Sequence, residues 1–161
     1  MKELQWRAGL AGDGPVEDYR RQADALALSD LVEMPGWLDA GEARALCARA
    51  DILVLPSHAE GLAMAVLEGL SHGLAVVTTR VGAHDEVITD GETGIFVPVG
   101  DPNSLAAALA KLVSDPEICI RLAAQGRTHY LNHFSMRAYM QSLEKLYETV
   151  SAKPQAMVGA R

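Results

Sequence analysis

Asp51-Ile-Leu-Val-Leu-Pro-Ser-His-Ala-Glu-Gly-Leu-Ala-Met-Ala-Val-Leu-Glu-Gly-Leu70 decides how this chain folds. Ile52 to Leu55 is a continuous apolar run of strand length, and Pro56 to Glu60 is rich in turn formers. From Gly61 the residues Leu62, Met64, Ala65, Val66, Leu67 and Leu70 read as a buried helix with almost no polar face. The unit is strand, short loop, helix. Two acids stand in it, Glu60 and Glu68, eight positions apart. On one helix that spacing is about 12 Å of rise and a turn of about 80 degrees. One carboxylate then sits at the helix mouth and the other two turns along.

Carboxylates accept hydrogen bonds from vicinal hydroxyls, and the free N–H groups of a helix start at Gly61 to Met64 favour an anion between the two acids. A nucleotide-sugar has this layout: sugar hydroxyls, diphosphate, ribose hydroxyls. The plainer reading makes Glu60 a dipole partner of the helix and pairs Glu68 with an Arg of a neighbouring element. A carboxylate buried in so apolar a helix requires partners in either case.

Outward from this unit, strands and helices alternate. Leu4, Trp6, Ala8 and Leu10 alternate with more polar residues ahead of Gly12-Asp-Gly-Pro15, which predicts a strand from Leu4 to Leu10 ending in a turn. Pro15 starts a helix to about Leu28 with Glu17 and Asp18 in its first turn. A strand over Leu31 to Met34, a helix over Gly41 to Arg49 and, after the central unit, a strand over Leu74 to Thr78 follow. Asp85 to Ile88 reads as one helical turn and Gly94 to Val97 as a last strand. Three helices complete the pattern, Ser104 to Ser114, Pro116 to His133 and Ser135 to Val150, before a tail, Ser151 to Arg161, expected to fray. Strands that are apolar throughout predict an α/β fold, a Rossmann-like parallel sheet with helices on both faces. Ligands of such sheets bind beyond the carboxyl ends of the strands, where Gly12, Gly36, Ser57 to Gly61 and Val81-Gly82 fall.

A hydrophobic share of 49% in 161 residues suits one domain with a proper core. The net charge of −7 argues against a nucleic-acid surface or an anionic-membrane patch in this segment. No apolar run reaches membrane-spanning length, and Met1-Lys-Glu-Leu-Gln-Trp6 lacks the apolar core of a signal peptide. Cys47 and Cys119 have no metal-ligand spacing and read as buried thiols of a reducing cytoplasm.

The central stretch resembles the signature of retaining glycosyltransferases of the GT-B fold, the glycosyl transferases group 1 family (family 4 in the sequence classification). Gly12-Asp-Gly-Pro15, Pro35-Gly-Trp37, Ala50-Asp-Ile-Leu-Val-Leu-Pro-Ser57, Gly73-Leu-Ala-Val-Val77, Val81-Gly82 with Glu86-Val-Ile88, Asp90-Gly-Glu-Thr-Gly94 and Gly100-Asp-Pro102 match it in the same order, from Leu10 to Val150. The resemblance implies that residues 1–150 form the nucleotide-sugar donor-binding domain, one half of a GT-B fold. It also implies that the first strand–helix unit of that domain, with the Arg and Lys that grip the diphosphate, has no counterpart here. The missing strand would lie between the strands at Leu4 to Leu10 and Ile52 to Leu55. The gap is expected to close by direct re-pairing of these strands or by association with a second copy. The acceptor domain is likewise outside the chain, so the chain alone is expected to transfer little sugar. In the complete enzyme the family often works at membranes, usually through that other half.

By the same resemblance, Glu60 lies beneath the transferred sugar near its anomeric carbon. Gly61, Leu62, Ala63 and Met64 offer backbone N–H groups to sugar and distal phosphate, with Ala63 where the family commonly has Gly. Glu68 takes the ribose hydroxyls. Gly36, Trp37 and Leu38 line the base pocket, although Trp37 is equally readable as core. The donor would be a UDP-, GDP- or ADP-sugar, with no metal and no further cofactor. Glu86 and the Asp101-Pro102 helix start are scaffold.

The histidines carry less. His58 and His72 lack triad or zinc-like spacing, and His84 reads as a loop residue on the ligand edge. His129 and His133 stand four apart on a late helix, a chelating spacing without a third ligand, and read as a solvated face. Two rival functions remain open: a non-catalytic nucleotide-sugar-binding or assembly module, separable by the true start of the gene, and a sugar-nucleotide epimerase, separable by product analysis.

Overall fold

The structure is a computed structural model and describes residues 4–151; most of the expected fraying tail, from residue 152 on, lies outside them. Five strands and seven helices follow in the order β1 (Ala8–Ala11), α1 (Val16–Ala25), β2 (Val32–Gly36), α2 (Ala40–Ala48), β3 (Ile52–Leu55), α3 (Met64–His72), β4 (Ala75–Thr79), α4 (His84–Val87), β5 (Ile95–Val97), α5 (Pro102–Ser114), α6 (Pro116–His133) and α7 (Met136–Ser151). Every strand pair is parallel. The fold is α/β, as expected.

β4 is the centre of the larger sheet, ordered β3-β4-β5, and all five of its residues are buried. Its pleat divides the core in two. Val76 and Phe96 of β5 meet Val66 and Leu70 of α3, with Val87, Ile88, Tyr130 and Phe134 around them. Ala75, Val77 and Val97 point the other way, onto Leu105 and Leu112 of α5 and Cys119 and Leu122 of α6. Burial on both faces is why these strands read as unbroken apolar runs. The helix α6 serves both layers, and it comes close to α3 because residue 126 is glycine: an added Cβ would stand 2.7 Å from Leu70 Cδ2 and 2.9 Å from the Thr93 carbonyl. Leu70 has no exposed surface, so Leu70→Ala should cost about 2–5 kcal/mol in urea unfolding.

β1 and β2 form a separate pair. The expected strand over Leu4 to Arg7 is absent; β1 begins at Ala8, opposite Val32, where its partner begins. An alternating pattern makes a strand only where a neighbour supplies the ladder. β1 does not pair with β3 either, so direct re-pairing, one of the two expected ways to close the gap, does not occur. The helix α2 stands between the two units. Its Leu46 presses on β1, 3.3 Å from where a Cβ on Gly9 would lie, and its Cys47 lies close enough to α3 for the Glu68 charge to act on it. One edge of β1 and one of β3 stay unpaired, with Leu10 and Val54 exposed.

The helix starts are set by their caps. Asp39 and Glu42 form a capping box at α2. Asp101, read as scaffold from the sequence, accepts from the Asn103 and Ser104 N–H groups, both at 3.0 Å, and from the Ser104 hydroxyl at 2.5 Å. The Ser104 hydroxyl above all holds the Asp101 carboxyl below the usual range. A depressed carboxylate stabilises the fold above its unfolded value of about 3.9 and loses that contribution as pH falls through the folded value. Asp101→Asn keeps a capping side chain but cannot titrate, so the variant's melting temperature should fall less steeply than the parent's below pH 4. The last helix, α7, exposes Tyr139, Met140, Leu146, Tyr147 and Val150.

Candidate functional site

The loops after β3 and β4 and the start of α3 meet at the carboxyl edge of the sheet. Ser57 Oγ donates to Glu60 Oε1 at 2.9 Å. Glu60 stands in the loop and not on the helix, because α3 begins only at Met64. The Gly61 carbonyl accepts from the Ala83 N–H at 2.7 Å, so it is turned toward the neighbouring loop and starts no helical ladder. This corrects the expected helix from Gly61 and the 12 Å separation of the acids along it. From Met64 to Glu68 the rise is about 6 Å.

Both carboxylates are exposed, not buried. Neither forms an ion pair among the described residues, so Glu68 is not the Arg-paired acid of the plainer reading, and Glu60 is no first-turn dipole partner. The Glu68 charge lies near enough to α2 to act on Cys47. Burial chiefly pushes the Cys47 thiol up, and the Glu68 charge adds to it.

Between the two acids, the N-cap residue Ala63 has extended backbone and no side chain caps the helix. Among the described residues no protein acceptor meets the N–H groups of Leu62, Ala63 and Met64. Free donors at a helix start are an anion site in waiting. Glu60 thus stands on the loop, the Leu62 to Met64 N–H groups at the start of α3 and Glu68 on the helix itself, rather than all on one helix.

The expected base-pocket residues lie at the end of β2, in the separate strand pair. Trp37 is 70% exposed, which overturns its core reading. Gly36, in the left-handed region at φ 80°, turns the chain there, and its carbonyl accepts from Gly12 N–H at 2.8 Å. Leu38 is half-buried. The acid after it, Asp39, is held below the usual carboxylate range by the N–H groups of Glu42 and Gly41.

Gly82 joins the loops. Its φ is 54°, and an added Cβ would fall 2.0 Å from the Gly61 carbonyl oxygen and 2.3 Å from that of Glu60. Thr79 Oγ1 donates to the Ser57 carbonyl at 2.6 Å, and Thr78 Oγ1 to that of Leu55 at 2.9 Å. Ser57 and Gly82 fall on the expected ligand edge without an assigned role, and Thr79 escaped the sequence reading as a site residue. The one available signal was two threonines ending an otherwise apolar strand. Arg80, also missed, projects from the same strand end with its guanidinium 4.1 Å from the centre of the Phe96 ring.

The histidines divide. His84 is fully buried on α4, not a loop residue at the ligand edge. His72 Nδ1 is spent on the Glu68 carbonyl at 2.9 Å. His129 and His133 have ring centres 4.7 Å apart beside Phe134, and burial, then His133, lowers the His129 pKa. Glu86, expected as scaffold, is exposed and has no side-chain partner among the described residues. Cys119 is a buried thiol and Cys47 a half-buried one.

The site is an open shelf. Two concavities lie elsewhere, about 400 Å³ beside Thr93 and His129 and about 740 Å³ along α7. Among the described residues no helix is long and apolar enough to cross a membrane.

Comparison with known proteins agrees with this architecture. The sequence model described as "Glycosyl transferases group 1" matches residues 1–115. The lipopolysaccharide core biosynthesis glycosyltransferase LpsE of Rhizobium meliloti is 34% identical over 139 residues, 83% of this chain and 40% of that protein. The C-terminal domain of a glycosyl transferase group 1 family protein (LpcC) from Francisella tularensis superposes with a TM-score of 0.76 at 25% identity, covering 84% of this chain and 73% of that one. Anabaena Alr3699/HepE in complex with UDP shares the fold at a TM-score of 0.79 and 19% identity, over 89% of this chain and 41% of that one. The chain spans 36% to 43% of the length of the first curated relatives it matches.

Proposed function

The chain belongs to the glycosyl transferases group 1 family, and from that membership we propose that it is the nucleotide-sugar donor-binding part of a retaining, metal-independent glycosyltransferase. The observation that carries the reading is the shelf itself: unpartnered N–H groups at the start of α3, with an exposed carboxylate on either side of them. The N–H groups of Leu62, Ala63 and Met64 hold the distal phosphate. Glu68 accepts from the ribose hydroxyls. Trp37 stacks on the base, with Gly36 and Leu38 at its edge, and Glu60 lies under the sugar.

The donor diphosphate leaves with its growing charge stabilised by the α3 N-terminus, an electrostatic contribution that needs no proton transfer from the chain. The acceptor hydroxyl attacks from the face the diphosphate leaves. Its proton departs with the diphosphate oxygen, and Glu60 faces the positive charge that develops at the anomeric carbon. The opposite wall of the cleft, and with it the acceptor, belongs to the remaining length of such enzymes. The unpaired edges of β1 and β3 are covered there by a further strand, or by a second copy when these 161 residues stand alone. The enzyme works in the cytoplasm.

Transfer from an NDP-sugar in the presence of EDTA, followed by NMR of the product's anomeric coupling, tests this. The whole enzyme should form product with the donor's anomeric configuration, and these residues alone should form almost none. An inverted product would contradict the retaining mechanism. Donor binding without any transfer by the whole protein would favour an assembly module.

A further inference from the structure

His84 is fully buried, and its Nε2 has no hydrogen-bond partner. A buried polar atom left unpaired costs stability, and a leucine would fill similar space without that cost. The imidazole must supply something an apolar side chain does not. Thr78 Oγ1 gives its hydrogen to the Leu55 carbonyl, and the Thr79 carbonyl has none to give. The proton between them and His84 is therefore on Nδ1, which donates to the Thr79 carbonyl at 3.0 Å and to Thr78 Oγ1 at 3.1 Å. Nε2 is the bare nitrogen.

From His84 two paths lead to Glu60. One runs through Thr79, whose hydroxyl holds the Ser57 carbonyl at 2.6 Å, to the Ser57 hydroxyl, which holds Glu60 Oε1 at 2.9 Å. The other runs through the adjacent Ala83, whose N–H holds the Gly61 carbonyl at 2.7 Å. The two close into a ring that fixes the Glu60 backbone from one side and its carboxylate from the other.

We propose that His84 is a positioning residue: its Nδ1–H clamps the end of β4 so that the ring presents the Glu60 carboxylate in one orientation. The effect on ligand rests on the donor-site reading above; the clamp itself can be tested without ligand.

Three NMR readouts decide it. Long-range 1H–15N correlation of the His84 ring should show Nδ1 protonated and Nε2 bare. His84→Leu should shift the amide signals of Ser57, Glu60 and Gly61, whereas Leu122→Ala, on the other face of the sheet, should leave them in place. His84→Asn, which keeps a donor at the Nδ1 position, should restore most of them. UDP-sugar affinity should fall about fivefold to tenfold in His84→Leu, the worth of one neutral hydrogen bond, and by a similar factor in Ser57→Ala, which cuts only the last link at a half-buried site.

A protonated Nε2 with bare Nδ1 would overturn the proposal, as would unmoved Ser57 to Gly61 signals in His84→Leu. Should His84→Leu not fold, the ring tautomer and Ser57→Ala decide alone, and undiminished binding in Ser57→Ala counts against the clamp. If the parent chain binds no nucleotide-sugar while the tautomer and shifts come out as expected, the donor reading fails and the clamp stands.

Discussion

Glu68→Ala should weaken nucleotide-sugar binding by about 2–3 kcal/mol, the worth of charge-assisted hydrogen bonds, or about 30- to 150-fold in Kd. Glu68 is exposed and pairs with no cation among the described residues. Its removal therefore leaves no buried partner stranded, and the melting temperature should hardly change. That combination separates a ligand contact from a structural acid. Titration calorimetry with UDP-glucose, GDP-mannose and ADP-glucose, beside a thermal melt, measures both. Glu68→Gln should fall between parent and alanine, because an amide offers one acceptor oxygen where the carboxylate offers two. The Cys47 thiol should titrate at lower pH in either variant, since one of the two influences raising it is gone.

Gly82→Ala should damage the fold and the site together. A left-handed L-residue costs about 1–2 kcal/mol by itself, and at 54° the new methyl group would lie 2.0 Å from the Gly61 carbonyl oxygen. Backbone must move, since no flexible side chain stands there to yield. Moving it breaks the Ala83 N–H to Gly61 carbonyl bond and frees Glu60 from one of its two attachments. The total should reach about 3 kcal/mol, the upper end of ordinary single-residue effects. Urea unfolding gives the stability and amide shifts of Glu60 to Ala63 give the local displacement. A variant as stable as its parent with those shifts unchanged would mean that the two loops are not in contact.

The parts of this fold that local pattern decides were readable in advance. Ile52 to Leu55 and Pro116 to His133 form their elements over the very residues expected, since a doubly buried strand and a helix opened by Asp115 and Pro116 carry their own signals. Asp101 is equally local: an acid followed by proline caps the helix it precedes. What escaped depends on residues distant in the chain. The start of α3 is displaced to Met64 by a bond from Ala83, 22 positions beyond Gly61. The attachment of Ser57 to Thr79 spans as many positions. His84 read as a loop residue because a polar side chain between Ala83 and Asp85 gives no hint that α4 turns it inward under β4. Burial of Glu60 and Glu68 was inferred from the apolar residues beside them, yet only Ala63, Val66, Leu67 and Leu70 turn into the core, while Leu62 and Met64 are exposed like the acids. The candidate site was legible as residue types in order along the chain; its geometry was not.

Ligand-observed NMR of the folded chain against uridine, guanosine and adenosine diphosphate-sugars tests the central claim most directly. Saturation transfer to one base class, strongest at the base and ribose protons and competed away by the matching nucleoside diphosphate, is the predicted result. Saturation transfer to none of the three, from protein shown to be folded in the same tube, would contradict the assignment of this shelf as a donor site.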